Sequence, residues 1–317
     1  MKKILSLVTL LALLLPTAQA ATMRTSLISA MSRAPEVFND LPSDQANYPA
    51  IMFLHEREIV QGYENGSFRP NGLVNRAELV KMVVGMIGGD VSQVGGTNCF
   101  PDVQTEWFAP YVCYAKDQGW IGGYPDGTFK PANSVSRVEA MKIVLNAMIA
   151  SDYWPSPTDF EKSMQMPKDA DVKQWYASFL RFAIAKELLD GAHVELDADG
   201  AYLYRPGDPM TRKEVAELMF RTYVYMAERV EIANLLGMTM CFQLEHATDD
   251  ETTAHERWVN SFLADMGYTE AEVDALNTKY KSDDLITDMA DAVRESSCGD
   301  PSAVDLSRWE GLKIFGL

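Results

Sequence analysis

Only four cysteines and four histidines occur in 317 residues. No Cys-x-x-Cys or paired Cys/His spacing is present, and His55, His193, His246 and His255 include no i, i+4 pair, so the spacings of zinc sites are missing. The chain also lacks Gly-x-Ser-x-Gly, a phosphate-binding P-loop and the glycine pattern of dinucleotide-binding folds. No catalytic residue, metal ligand or cofactor is expected. Basic residues are few, 28 Lys and Arg against 45 Asp and Glu, giving a net charge of −17. Such a chain is repelled by nucleic acid and by anionic membranes. It also meets an acidic polymer unfavourably at long range, so binding one would rest on local basic groups. After residue 20 no apolar run approaches the about 20 residues needed to cross a bilayer. What the chain does have is 47% hydrophobic residues, which excludes wholesale disorder and can build one large core or several small ones.

The chain opens with Lys2 and Lys3, an uncharged, mostly apolar run over 4–15, and Ala18-Gln19-Ala20. This is the layout of a secretory signal peptide, expected over 1–20, with no membrane span after cleavage. In an oxidising compartment Cys99, Cys113, Cys241 and Cys298 can form disulfides. Three pairings are possible. Sequence proximity favours Cys99–Cys113 and Cys241–Cys298; buried free thiols are the alternative.

Three segments align. The first runs from Phe38-Asn39-Asp40 through Gly62-Tyr63-Glu64-Asn65-Gly66-Ser67-Phe68-Arg69-Pro70 to Asn75-Arg76-Ala77-Glu78. The second runs from Phe100-Pro101-Asp102 through Gly123-Tyr124-Pro125-Asp126-Gly127-Thr128-Phe129-Lys130-Pro131 to Ser136-Arg137-Val138-Glu139. The third, degenerate, keeps Trp175-Tyr176, Asp190-Gly191, Tyr204-Arg205-Pro206 and Thr211-Arg212-Lys213-Glu214. Glycine and proline stand 8 apart in the first two loops and 15 apart in the third, which therefore carries seven extra residues.

Each unit reads helix, loop, helix. Steps of three and four between Trp107, Tyr111, Val112, Ala115 and Trp120 suit one helix face, so both tryptophans are expected in the core. The loop glycine is expected to end the first helix. Asn65-Gly66 and Asp126-Gly127 are turn dipeptides. Asn75, Ser136 and Thr211, each followed three residues later by glutamate, predict capping boxes for the second helices. Arg76, Arg137 and Arg212 stand at the first helical position, where the helix dipole disfavours a cation. Recurring three times, they point to a role other than helix stability.

These motifs resemble the S-layer homology family, whose pattern is Phe-x-Asp, Gly-Tyr-x-Asp-Gly-Thr-Phe-x-Pro and Thr-Arg-Ala-Glu. The resemblance implies an all-α fold, with three helix-loop-helix repeats in a pseudo-threefold bundle. Its ligand grooves lie between repeats and take an anionic secondary cell-wall polysaccharide, typically bearing ketal-linked pyruvate. By resemblance the motif arginines are Arg76, Arg137 and Arg212 and the loop glycines Gly62, Gly123 and Gly191. Tyr63 and Tyr124 could stack on sugar rings. A ketal carboxylate suits a guanidinium fork, and helix N-terminal N–H groups would add donors. Arg76 and Arg137 are expected to be the main contacts and Arg212 the weaker, because the third repeat lacks Phe-x-Asp and the compact loop.

The expected organisation is a signal peptide over 1–20, a linker over 21–35 and repeats over 36–90, 98–150 and 167–225. A linker over 151–166 separates the last two, and a helical C-terminal domain of no recognised family covers 226–317. The acidic run Glu195-Leu196-Asp197-Ala198-Asp199-Gly200 lacks the remaining ligands of a calcium loop and reads as a solvated turn. The leading expectation is a secreted, non-enzymatic cell-surface protein held on the wall or surface layer. The rivals are an adaptor whose C-terminal segment binds other surface proteins, and a small wall-active enzyme.

Overall fold

The computed structural model describes residues 23–93, 98–149, 166–189 and 195–245. The expected signal peptide, the expected Cys241–Cys298 bond, Gly191 and residues 246–317 lie outside them. The described chain is mostly helical, as expected: α1 (Met23–Met31), α2 (Tyr48–Glu56), α3 (Arg76–Ile87), α4 (Ala109–Asp117), α5 (Arg137–Met148), α6 (Ala177–Ala185) and α7 (Arg212–Glu245). Two two-residue strands, β1 (Glu195–Leu196) and β2 (Tyr202–Leu203), pair antiparallel. They fold the third unit's extra residues into a hairpin. The stretch read as an N-terminal linker contains α1, and α7 runs without a break through residue 226, where a domain boundary was expected. By compactness, Leu27–Met226 belong to one unit and the described residues from Ala227 onward to another.

Within Leu27–Met226 the first helix of each hairpin packs on the second helix of the hairpin before it. Thus α3 packs on α4 and α5 on α6. The set closes on itself through Phe53 of α2, whose ring lies 5.0 Å from Phe220 and 4.7 Å from Tyr223 of α7. The three loops entering α3, α5 and α7 are tied directly. Val74 N–H donates to Met210 O, Met210 N–H to Val135 O, and Val135 N–H to Val74 O, each at 3.0 Å. Val74 and Val135 are fully buried and Met210 nearly so, and the helices around them bury Leu79, Val80, Met141, Val144, Val215 and Met219. Burying such side chains contributes roughly 1.5–3 kcal/mol each and drives the packing.

The helix starts follow the expectation. Glu78, Glu139 and Glu214 reach back to the N–H groups of Asn75, Ser136 and Thr211 at 2.9, 3.0 and 2.7 Å. The helix ends do not. The first helices stop at Glu56, Asp117 and Ala185, and the left-handed residue beyond each is Glu58, Gly119 or Glu187. Gly62 and Gly123 are not helix caps; they are places of close approach. A Cβ on Gly62 would stand 2.6 Å from Phe38 Cε1, and one on Gly123 2.9 Å from Phe100 Cε1. The opening phenylalanine of each of the first two units therefore requires its loop glycine. Cys99 and Cys113 form the expected disulfide. Closing a loop of that length contributes roughly 3 kcal/mol in the chain-entropy model.

Candidate functional site

In all three units one aspartate holds the segment before the second helix. Asp40 accepts from Phe68 N (2.7 Å) and Arg69 N (2.8 Å); Asp102 accepts from Phe129 N and Lys130 N, both at 2.8 Å. Asp169 does the same for Tyr204 N (2.8 Å) and Arg205 N (2.7 Å). The sequence reading found no opening aspartate in the third unit. Pro167 and Lys168 replace the Phe-x of the motif, and Asp169 stands 35 residues before Tyr204 where its counterparts stand 28 and 27 before Phe68 and Phe129, so spacing hid it as well. The residue pinned by each second oxygen, Arg69, Lys130 or Arg205, has φ of +57°, +58° or +56°. A side-chain-bearing residue in that region costs roughly 1–2 kcal/mol, and all three are basic.

The motif arginines cross from one unit to the next. Arg76 Nε donates to Phe129 O (2.9 Å) and its Nη1 to Glu139 Oε1 (3.2 Å), under Tyr124 at 4.8 Å from the ring centroid. Arg212 Nε donates to Phe68 O (2.9 Å) and its Nη2 to Gln61 O (3.1 Å), 5.3 Å from the Tyr63 centroid. Arg137 Nη2 donates to Glu214 Oε1 at 2.8 Å, while its buried Nε has no acceptor. Each arginine therefore reaches the following unit, Arg76 and Arg212 at its loop and Arg137 at the glutamate that starts its second helix, and Arg212, from the third, returns to the first. Arg137 meets the degenerate third unit; Arg212 meets an intact loop. Arg76 and Arg137 are only 5% and 8% exposed, whereas Arg212 is half-buried.

The helix N-terminal N–H groups are not open donors. Arg76 N and Ala77 N donate to Asn133 O and Pro131 O, Arg137 N and Val138 N to Asp208 O and Pro206 O, and Arg212 N and Lys213 N to Gly72 O and Pro70 O. Carbonyls of the neighbouring unit occupy the positions in which an anion was expected to sit. Of the tryptophans expected in the core, Trp120 is there and Trp107 is 59% exposed. Trp107 directly precedes the N-cap residue of α4, where its ring stands clear of the buried face.

Glu139 joins three roles: it reaches back to Ser136, pairs with Arg76 and accepts the Tyr124 hydroxyl at 2.6 Å. Burial, then this hydrogen bond, pushes the Tyr124 hydroxyl up to about 12. Burial alone would raise Glu139, but the bonds from Tyr124 and Ser136 and the Arg76 charge outweigh it and hold the carboxyl below its ordinary 4.5. A carboxyl lowered on folding binds fewer protons folded than unfolded, so its contribution is present above the unfolded value and lost as pH falls through the folded one. Denaturation midpoints should therefore drop as pH is lowered from about 4.5, and Glu139→Gln should flatten that drop. An unchanged acid loss in the variant would show that other carboxylates carry it.

Among the described residues no cluster of His, Cys, Asp and Glu could hold a metal ion, and no helix is long and apolar enough to cross a membrane. In the acidic hairpin turn Asp197 is engaged by Lys168 at 2.8 Å and by the N–H groups of Asp199 and Ala201.

The S-layer homology domain profile matches residues 37–80 and 100–141. Over 114 residues the chain is 35% identical to cell surface glycoprotein 1 of Acetivibrio thermocellus, covering 35% of this chain and 5% of that one. Over 167 residues it is 26% identical to the cellulosome-anchoring protein of the same organism, covering 52% and 35%. It is 27% identical over 177 residues to the surface-layer 125 kDa protein of Lysinibacillus sphaericus, covering 55% and 14%. The match thus spans about a third or less of these relatives' length. The matched residues 37–80 and 100–141 hold the first two aspartate-pinned loops and the arginines Arg76 and Arg137, and the chain carries S-layer homology domains there.

Proposed function

We propose that this is a secreted, non-catalytic cell-surface protein whose helical units bind an anionic secondary cell-wall polysaccharide at the boundaries between them. The observation that carries this reading is the arginine at the first helical position, which in each unit crosses to the next unit. The candidate contacts are Arg212 with Gly62 and Tyr63, and Arg76 with Gly123 and Tyr124. Arg137 crosses to the third unit, where it meets Glu214; Gly191, the loop glycine there by resemblance, lies outside the described residues. A ketal-linked pyruvate leaves one carboxylate, which a planar guanidinium fork recognises through charge-assisted hydrogen bonds of about 1.5–3 kcal/mol each. The matched relatives named for cell surfaces and anchoring support the location. Residues 226–317 would carry a separate task, such as holding another surface protein.

The test is co-sedimentation of the mature protein with purified wall sacculi before and after the polysaccharide is stripped chemically. Binding should be lost on stripping, with no sugar or peptide released from the walls. Equal binding to stripped walls would refute the polysaccharide, and release of wall fragments would favour the enzyme.

A further inference from the structure

The first and second loops close the same turn with a different side chain at the tip. In the second, Asp126 Oδ1 accepts from Thr128 N at 3.0 Å and from Thr128 Oγ1 at 2.6 Å, and its other oxygen pairs with Lys130 at 2.9 Å. In the first, Asn65 Oδ1 accepts from Ser67 N at 3.2 Å and from Ser67 Oγ at 2.7 Å. One oxygen therefore holds the turn in both loops. Where Asp126 has its second oxygen, Asn65 has an amide nitrogen, and the ion pair with the basic residue four positions on is forfeited. Asn65 is exposed, and among the described residues its Nδ2 has no hydrogen-bond partner.

An aspartate would close this turn equally well and add the ion pair, so turn formation does not account for the amide. The sequence around it does. Asn65-Gly66-Ser67 is the only Asn-x-Ser/Thr triplet in the chain. That triplet is the acceptor pattern for glycan transfer to asparagine in exported proteins, and it works from a surface loop. The structural context is met. Gly66 N–H donates to Tyr63 O at 2.8 Å, and Asn39 Nδ2 donates to the Asn65 carbonyl at 2.9 Å. The backbone of the tip is thus fixed while the amide group stands free of it. The Gly66 bond also withholds the backbone nitrogen that would otherwise attack the Asn65 amide carbon, which keeps the amide intact in an Asn-Gly sequence. Asp126, at the same place in the second unit, offers no nitrogen to modify.

We propose that Asn65 is an N-glycosylation site whose second substrate is an oligosaccharide carried on a lipid pyrophosphate. A bond forms between Asn65 Nδ2 and the anomeric carbon of the first sugar. The bond from that carbon to the pyrophosphate oxygen breaks, and the pyrophosphate leaves with the electron pair. The amide nitrogen gives up one proton to a base of the transferring enzyme. The inference rests on the secreted location read above. The glycan marks the first unit alone and covers the tip of its loop.

The test is peptide mass spectrometry of the full-length protein isolated from its own cell surface. The peptide carrying Asn65 should bear a mass addition of one or more sugar residues, placed on Asn65 by fragmentation. Asn65→Asp should lose the addition completely while keeping the parental thermal midpoint, because Asp126 shows that aspartate fits this turn. Ser67→Ala should lose it as well, and Ser67→Thr should keep it. A glycan that persists in Asn65→Asp would overturn the proposal, as would an Asn65 found deamidated in place of glycosylated. A parent protein absent from the cell surface would sink the secreted reading and this site with it. Surface-located protein with an unmodified Asn65 would sink the site alone.

Discussion

Arg137→Ala is expected to lower folding stability by about 3–5 kcal/mol, the usual cost of removing one partner of a buried ion pair. Its partner Glu214 is 8% exposed, and its other oxygen is occupied by the Thr211 N–H and hydroxyl, so it cannot turn to water without releasing the start of α7. The loss comes from the glutamate left behind more than from the attraction itself. Arg137→Met with Glu214→Gln should therefore be less damaging than the two single changes added together, a coupling that a double-mutant cycle in denaturant reads directly. Arg212→Ala should cost much less, because it removes bonds to two carbonyls and strands no carboxylate. If Arg137→Ala and Arg212→Ala destabilise equally, the division between a fold-holding arginine and an exposed one is wrong.

That division was not legible in the sequence, and the reason is geometric. Arg76, Arg137 and Arg212 occupy the same place in the same motif, so the sequence suggests that each belongs to its own repeat. Arg212 was ranked lowest because its own repeat is degenerate. In the fold the arginine crosses to the next unit, so Arg137 meets the degenerate third unit and Arg212 the intact first loop. Local signals fared better. The reach of each glutamate back to its cap is set within four residues, and so are the turns of Asn65-Gly66 and Asp126-Gly127, with φ of +76° and +81° at their glycines. The helix-end role given to Gly62 and Gly123 failed for the opposite reason. Their need for glycine comes from Phe38 and Phe100, more than 20 residues away in the chain. Likewise a helical period placed Trp107 in the core, whereas α4 begins only at Ala109.

The second large effect is expected at the aspartates that pin the loops. Asp102→Ala would deprive Phe129 N and Lys130 N of their acceptor. Phe129 is fully buried, so its N–H would have no ready replacement from water. An unsatisfied buried donor costs about 1–3 kcal/mol, and losing a charged acceptor sits at the upper end, so the variant should lose about 3–5 kcal/mol. The consequence reaches beyond the loop. The Phe129 carbonyl accepts from Arg76 and the Pro131 carbonyl from Ala77 N, so a relaxed loop also loosens the start of α3 in the neighbouring unit. A further test separates the two jobs the carboxylate could have. If it holds Lys130 in the left-handed region, Lys130→Gly should recover part of the loss in the Asp102→Ala background, since glycine needs no holding there. If it only satisfies two N–H groups, the effects of Asp102→Ala and Lys130→Gly should add within about 0.3–0.5 kcal/mol. Asp169→Ala should behave as Asp102→Ala does, because Tyr204 is buried as deeply as Phe129 and its N–H depends on the same kind of oxygen. A loss below about 1 kcal/mol at Asp169 would mean that the third unit holds its loop by other means, and that the shared aspartate is a remnant there.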